Sequence, residues 1–225
     1  MQISIASVDS VIIYFSKEIS QETSLVVKRA YSILKELDKK DFIEIIPSYT
    51  SILLTYDINT YDFQTLKKYI EELLCEIKID ENEEKSIINV DVYYGVDVGL
   101  DLQNMSDKTH LSIDEIIHLH TSKLYDIYAI GFMPGFAYMA SVDDKIAMPR
   151  LANPRKKIPK GSVAIADNQT AIYPKDSPGG WNIIGKTAFE LIDKNLESLS
   201  PLSIKNQIQF NSISKEEFLS QGGVL

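Results

Sequence analysis

The residues of this 225-residue chain best suited to chemistry are concentrated between Gly131 and Lys186, where two glycine- and proline-punctuated rims, GFMPGFAYM and IYPKDSPGGWNIIGKT, flank a cationic segment. Gly131, Pro134 and Gly135 can shape one tight turn, and Pro174, Pro178, Gly179 and Gly180 another, because glycine admits backbone angles closed to other residues and proline fixes φ. Between the rims lie Arg150, Arg155, Lys156, Lys157 and Lys160. In an acidic chain such a cluster reads either as a solvated loop or as a site for phosphate or carboxylate. Phe132, Phe136, Tyr138 and Trp181 read either as core or as the wall of a cleft.

Gly180, Gly185, Lys186 and Thr187 match the G-x-x-x-x-G-K-[ST] phosphate-loop spelling residue for residue. A phosphate nest needs a preceding strand, small residues in the loop and a following helix. Here KDSPG precedes, and Trp181, Asn182, Ile183 and Ile184 fill the loop with bulky or β-branched side chains that resist positive φ. The favoured reading is a barrel strand that ends in a turn.

The three histidines are His110, His118 and His120. On a helix the HLH spacing puts the last two imidazoles about 200° apart, so they cannot share a metal, and no metal site is expected. His120, at the end of a helix that leads into GFMPGF, is the best single candidate for acid–base work, with a helix-capping or surface histidine as the alternative. Cys75 lies opposite the apolar stripe of its helix with no histidine nearby in sequence to activate it, so it reads as structural or incidental.

The elements that must hold these residues divide the chain in two. Its length suits two modest domains, and 44% apolar with 24% charged residues is the make-up of a globular protein. Ser10–Phe15 reads as a strand. Ser20 caps a helix with Val26, Ala30, Ile33, Leu34 and Leu37 at helical spacing. Strands follow at Phe42–Ile46 and Ile52–Tyr56, then a helix capped by Asp62, and a closing strand at Ile87–Tyr94. The order β-α-β-β-α-β predicts a ferredoxin-like α/β sandwich over residues 1–90. The acidic run at 81–85 reads as a solvated loop before its last strand.

From residue 91 onward, Ser112 and Glu115 have capping-box spacing ahead of an Ile113, Ile116, Ile117 stripe. Short β-like runs at Tyr125–Phe132, Ser162–Ala166, Thr170–Tyr173, Trp181–Ile184 and Gln207–Phe210 then predict a small antiparallel barrel. Net charge −9 argues against nucleic acid and anionic membrane as partners. The single cysteine, with neither an apolar span nor a signal-like start, points to a cytoplasmic protein.

From the helix ending at His120, through YDIYAIGFMPGFAYM, to MPRLANPRKKIPKGSVAIADNQTAIYPKDSPGGWNIIGKT, the sequence resembles the KipI family, also described as the B subunit of prokaryotic 5-oxoprolinase and as allophanate hydrolase subunit 1. YGVDVGLDL is a weaker echo, departing from the family pattern at Val96, Asp97, Val98 and Leu100. Lys186 stands where the family often has arginine, and Lys160 where it often has a small residue. Relatives that lack Lys186 cannot use a phosphate-loop lysine there.

The resemblance implies an α+β chain with a C-terminal cyclophilin-like barrel. It implies pairing with a KipA-like C subunit and a lactam-utilisation A subunit to open 5-oxo-L-proline to L-glutamate, with ATP, carried with magnesium, as co-substrate and no tightly bound cofactor. On that basis Arg150, Arg155 and Lys186 are the expected anion contacts. His120 is the expected proton-transfer group, and Gly179 and Gly180 with Ser177 supply donors. The alternative function is inhibition of a sensor histidine kinase, with Phe132, Phe136 and Trp181 as docking anchors; the third is a part in a urea carboxylase or allophanate system. Half an active site, completed by another subunit, is the expected arrangement.

Overall fold

The computed structural model describes residues 1–37, 40, 42–77, 86–196 and 198–225. The acidic run at 81–85 lies outside them. The chain divides into two compact units, Met1–Glu84 and Lys85–Leu225.

In the first unit β1 (Gln2–Ser7), β2 (Ser10–Tyr14), α1 (Gln21–Glu36), β3 (Phe42–Pro47), β4 (Ser51–Tyr56) and α2 (Phe63–Leu73) follow in order. Both helices start at side-chain caps, where Ser20 Oγ accepts from Thr23 N at 3.1 Å and Asp62 Oδ1 from Thr65 N at 2.8 Å. The sheet is antiparallel in the order β1-β2-β4-β3. Val11, Ile13, Ile52 and Leu54 alternate onto one face and share a core with Val27, Ala30 and Leu34 of α1 and Leu66 and Ile70 of α2.

This corrects the expected ferredoxin-like order. β1 was not foreseen, and the strand expected to close this sheet, β5 (Ser86–Val92), belongs to the second unit. The alternation in INVDV specifies that Val90 and Val92 be buried, but not against which sheet.

The second unit continues with α3 (Leu102–Thr109), α4 (Ile113–Thr121), β6 (Leu124–Ile130), β7 (Ala137–Ala140), β8 (Arg155–Ile158), β9 (Ser162–Ala166), β10 (Gln169–Ile172), β11 (Ser177–Gly179), β12 (Asn182–Lys186), β13 (Asn206–Ser212) and α5 (Lys215–Ser220). The capping box of α4 is formed: Glu115 N donates to Ser112 Oγ at 3.2 Å and Ser112 N to Glu115 Oε2 at 2.8 Å. The unforeseen α3 buries only Leu102 and Met105, too few apolar residues to announce a helix.

Seven strands form one sheet in the order β12-β9-β10-β7-β6-β13-β5. The expected antiparallel pattern fails at one place, because β13 runs parallel to β5 from Asn206 opposite Ser86 to Ser212 opposite Val92. The two edge strands meet. Tyr93, one residue past β5, donates to Lys186 O at 2.8 Å and accepts from Lys186 N at 2.9 Å, so the sheet curls until its edges join. Gly185 makes that seam possible, since a Cβ there would stand 2.8 Å from Val92 Cγ1 and 2.9 Å from Tyr93 O. The overall architecture is mixed α+β with a curled sheet in its second unit.

The phosphate-loop spelling falls on this strand. Asn182–Lys186 is extended, and no helix follows at 187–190. Without a nest or a helix N-terminus the segment lacks the backbone donors of a phosphate loop.

Candidate functional site

A pocket of about 290 Å³ opens in the second unit, between the β6–β7 turn, the β11–β12 turn and the segment before β8. Phe136, Tyr173 and Trp181, all at most 5% exposed, form its floor and belong to a buried cluster with Ile158, Ala164, Ala171 and Ile183. The rings meet edge to face: Phe136 lies 5.3 Å from Tyr173 at 78° and 5.7 Å from Trp181 at 88°. Tyr138 packs 4.9 Å from Phe136. This geometry fixes the orientation of each ring as well as burying it.

Phe132 forms the outer wall, 66% exposed and 5.5 Å from Phe136. Its φ of 69° lies in the left-handed region, where a side chain other than glycine costs roughly 1–2 kcal/mol. Gly135 has φ 79°, and a Cβ there would collide with the carbonyl of Leu191. Gly131 N to Phe136 O, at 3.0 Å, and Phe136 N to Met133 O, at 3.1 Å, hold the turn closed.

Arg150 stands at the mouth with its guanidinium 5.8 Å from the Trp181 ring centre, and the Asp167 carboxylate is 3.9 Å away. Leu151 N donates to Gly180 O at 2.7 Å and ties the Arg150 segment to the opposite turn. Burial pushes the Tyr173 phenol up to about 12, against the backbone N–H of Trp181, which favours the anion. Burial also raises Tyr138, with Arg150 opposing.

Six expected site residues therefore line one pocket: Phe132, Phe136, Arg150, Gly179, Gly180 and Trp181. The other four do not. Arg155 is held by Asp101 through two bonds of 2.8 and 2.7 Å, which removes it from the expected anion site. Lys186 sits half-buried in β12, where burial lowers its pKa and Asp176 opposes. The Ser177 hydroxyl is buried without a hydrogen-bond partner among the described residues. The expected cationic cluster separates into pairs, with Lys157 on Asp176 at 2.8 Å and Lys160 on Glu190 at 2.7 Å.

His120 requires the largest correction. It is 0% exposed, with Nδ1 2.7 Å from Tyr94 Oη and Nε2 2.9 Å from Thr170 Oγ1, and it does not line the pocket. Burial lowers its pKa to about 3, so the ring is a neutral group packed in the core and outside the pocket. The signal was present in the sequence: His120 continues the Ile113, Ile116, Ile117 stripe at helical spacing. His118 is exposed on the other side of the helix.

Tyr138, Pro154, Tyr173 and Pro178 complete the lining. Tyr173 went unnoticed as a site residue because it reads only as the end of a strand. Its place in IYP, at the start of the second rim, was the available signal.

The family described as carboxyltransferase domain, subdomain C and D, matches residues 1–202. The 5-oxoprolinase B subunit of Bacillus subtilis (strain 168) is 34% identical over 219 residues, covering 93% of this chain and 91% of that protein. The protein of the same name from Haemophilus influenzae is 33% identical over 172 residues, covering 76% and 80%. The crystal structure of TTHA0988 superposes with a TM-score of 0.80 at 26% identity over 91% of this chain, which spans 40% of TTHA0988. The sequence and fold together show that the chain belongs to the carboxyltransferase-domain family, subdomain C and D, in the branch named for the 5-oxoprolinase B subunit.

Proposed function

We propose that the chain is the B subunit of an ATP-dependent 5-oxoprolinase, and that the aromatic pocket is its share of the lactam site. The observation that carries this reading is the pairing of a buried ring-lined floor with a single guanidinium at the mouth. Aromatic faces suit a flat five-membered ring, and Arg150 suits its carboxylate.

A five-membered lactam is a poor acyl electrophile. Transfer of the ATP γ-phosphoryl group to the carbonyl oxygen makes that oxygen a leaving group. Water then adds at the carbon, the ring C–N bond breaks as the nitrogen takes a proton and leaves an acyl phosphate, and a second water hydrolyses that acyl phosphate to the carboxylate and free phosphate. The pocket contributes binding and orientation to this sequence. It lies at the small end of the roughly 300–1,000 Å³ range of ligand pockets and carries one arginine, a poor match for a triphosphate. ATP and its magnesium are therefore assigned to the two partners, a KipA-like C subunit and a lactam-utilisation A subunit. Without a nucleophile–base pair in the pocket, the isolated chain is inactive.

The curled sheet is read as the cyclophilin-like barrel that the family resemblance implies. No helix among the described residues is long and apolar enough to cross a membrane, in keeping with a cytoplasmic complex. The relatives bear the name of an enzyme subunit, so the enzyme reading is preferred to a histidine-kinase inhibitor. Co-expression with the two candidate partners, followed by an assay for ATP-dependent release of glutamate from 5-oxo-L-proline, tests the proposal. A stable, intact complex without turnover refutes it.

A further inference from the structure

Tyr173 is the most buried polar side chain that lines the pocket. It is 2% exposed, and its hydroxyl lies against Gly179, where a Cβ would collide with the phenol oxygen. Gly179 has ordinary backbone angles, so its missing side chain leaves room for the hydroxyl and serves no turn. The nearby backbone N–H of Trp181 favours the anion of that phenol, against its burial. A neutral phenol has one hydrogen to donate, and among the described residues no acceptor takes it. The open space beside it is the pocket.

The pocket thus has a neutral donor at its floor, ring faces along its walls and a guanidinium at its mouth. A complementary ligand has a hydrogen-bond acceptor at one end, a flat apolar ring in the middle and an anion at the other end. We infer that the Tyr173 hydroxyl is the specificity-determining donor that recognises the ring carbonyl of a small cyclic-amide acid whose carboxylate meets Arg150. The inference rests on the 5-oxoprolinase reading for the identity of that acid.

The same arrangement separates substrate from product. Ring opening converts the neutral carbonyl into a second carboxylate, which would lie among Phe136, Tyr173 and Trp181 with only a neutral donor to meet it. Burying that charge without a cation is unfavourable, so the pocket holds the lactam and releases the open-chain diacid. Burial keeps the phenol protonated, and therefore a donor, throughout the neutral range.

Trp181 is the single tryptophan of the chain, so its fluorescence reports directly on the pocket. The full chain is titrated with 5-oxo-L-proline and with cyclopentanecarboxylate, which keeps the ring and carboxylate but lacks the carbonyl. Tyr173→Phe should weaken binding of 5-oxo-L-proline about ten-fold and leave cyclopentanecarboxylate unchanged. Gly179→Ala, which crowds the hydroxyl without removing it, should show the same selectivity and guards against a folding artefact in either variant. Equal losses for both ligands, or none for 5-oxo-L-proline, overturn the assignment. So does a wild-type chain whose Trp181 ignores 5-oxo-L-proline both alone and within a complex that turns it over, an outcome that leaves the 5-oxoprolinase reading standing. Selective binding by the chain within an inert complex has the opposite meaning: Tyr173 recognition survives and the 5-oxoprolinase reading fails.

Discussion

Arg155 and Asp101 meet fork to fork, with Nη1 2.8 Å from Oδ2 and Nη2 2.7 Å from Oδ1, and Ile183 N donates to the same Oδ2 at 2.7 Å. One buried carboxylate at the start of α3 thereby ties β8 to β12. Pro154, one residue before Arg155, and Trp181, two before Ile183, both line the pocket.

Asp101→Asn is therefore expected to lower the unfolding free energy by about 2–3 kcal/mol, less than the roughly 3–5 kcal/mol for a fully buried ion pair because Arg155 is partly exposed. Arg155→Lys should recover little of the loss caused by Arg155→Ala, since an ammonium cannot make the paired bonds. Urea denaturation of the three variants tests this. Full rescue by lysine would show that charge alone matters there.

Arg150 differs in kind, because its side chain is exposed and its carboxylate contact, Asp167, is 3.9 Å away. Arg150→Ala should leave stability within about 0.5 kcal/mol of wild type. In the reconstituted complex it should raise KM for 5-oxo-L-proline about ten-fold or more, with a smaller effect on kcat. A variant that melts early, or one with unchanged KM, would remove Arg150 from the site.

His120 gives the second unit a built-in acid sensitivity. Its folded pKa, about 3, lies below the unfolded value near 6.5, so between these limits the unfolded state binds the extra proton. The contribution is fully present above pH 6.5 and is lost as pH falls toward 3, at up to about 1.4 kcal/mol per pH unit. His120→Gln should flatten stability against pH in that window while lowering stability at pH 7. An unchanged slope would mean that the imidazole is solvated.

Ser177 carries a buried hydroxyl without a partner, a state that costs about 1–3 kcal/mol relative to a satisfied group. Ser177→Ala loses no bond and is expected to raise the melting midpoint or leave it unchanged. Destabilisation would show that the hydroxyl finds a partner in solution. Turnover of the same variant within the complex reveals whether another chain of the assembly uses this group.

The local rules were readable in the sequence. Ser20, Asp62 and Ser112 announced helix starts that formed as expected, and the two rims with their aromatic residues lie around one pocket. What could not be read were partners distant in sequence. Arg155 finds Asp101 and Lys160 finds Glu190, so cations that look like a cluster along the chain are neutralised from other segments. β5 finds β13 for the same reason: a strand's alternation defines its faces but not its neighbour. His120 is a different case, a functional residue type on an apolar stripe, where the stripe was the better guide.

The Tyr93–Lys186 seam also has a consequence for how the protein is made. β12, which carries Lys186, is tied through Tyr93 to β5, and β5 keeps its place in the sheet by pairing with β13 along its whole length. A chain emerging from the ribosome presents β5 more than a hundred residues before β13, so closure waits until residue 212 has been synthesised. Until then the segment from 131 to 186 has its sequence but not its walls. The pocket belongs to the finished second unit.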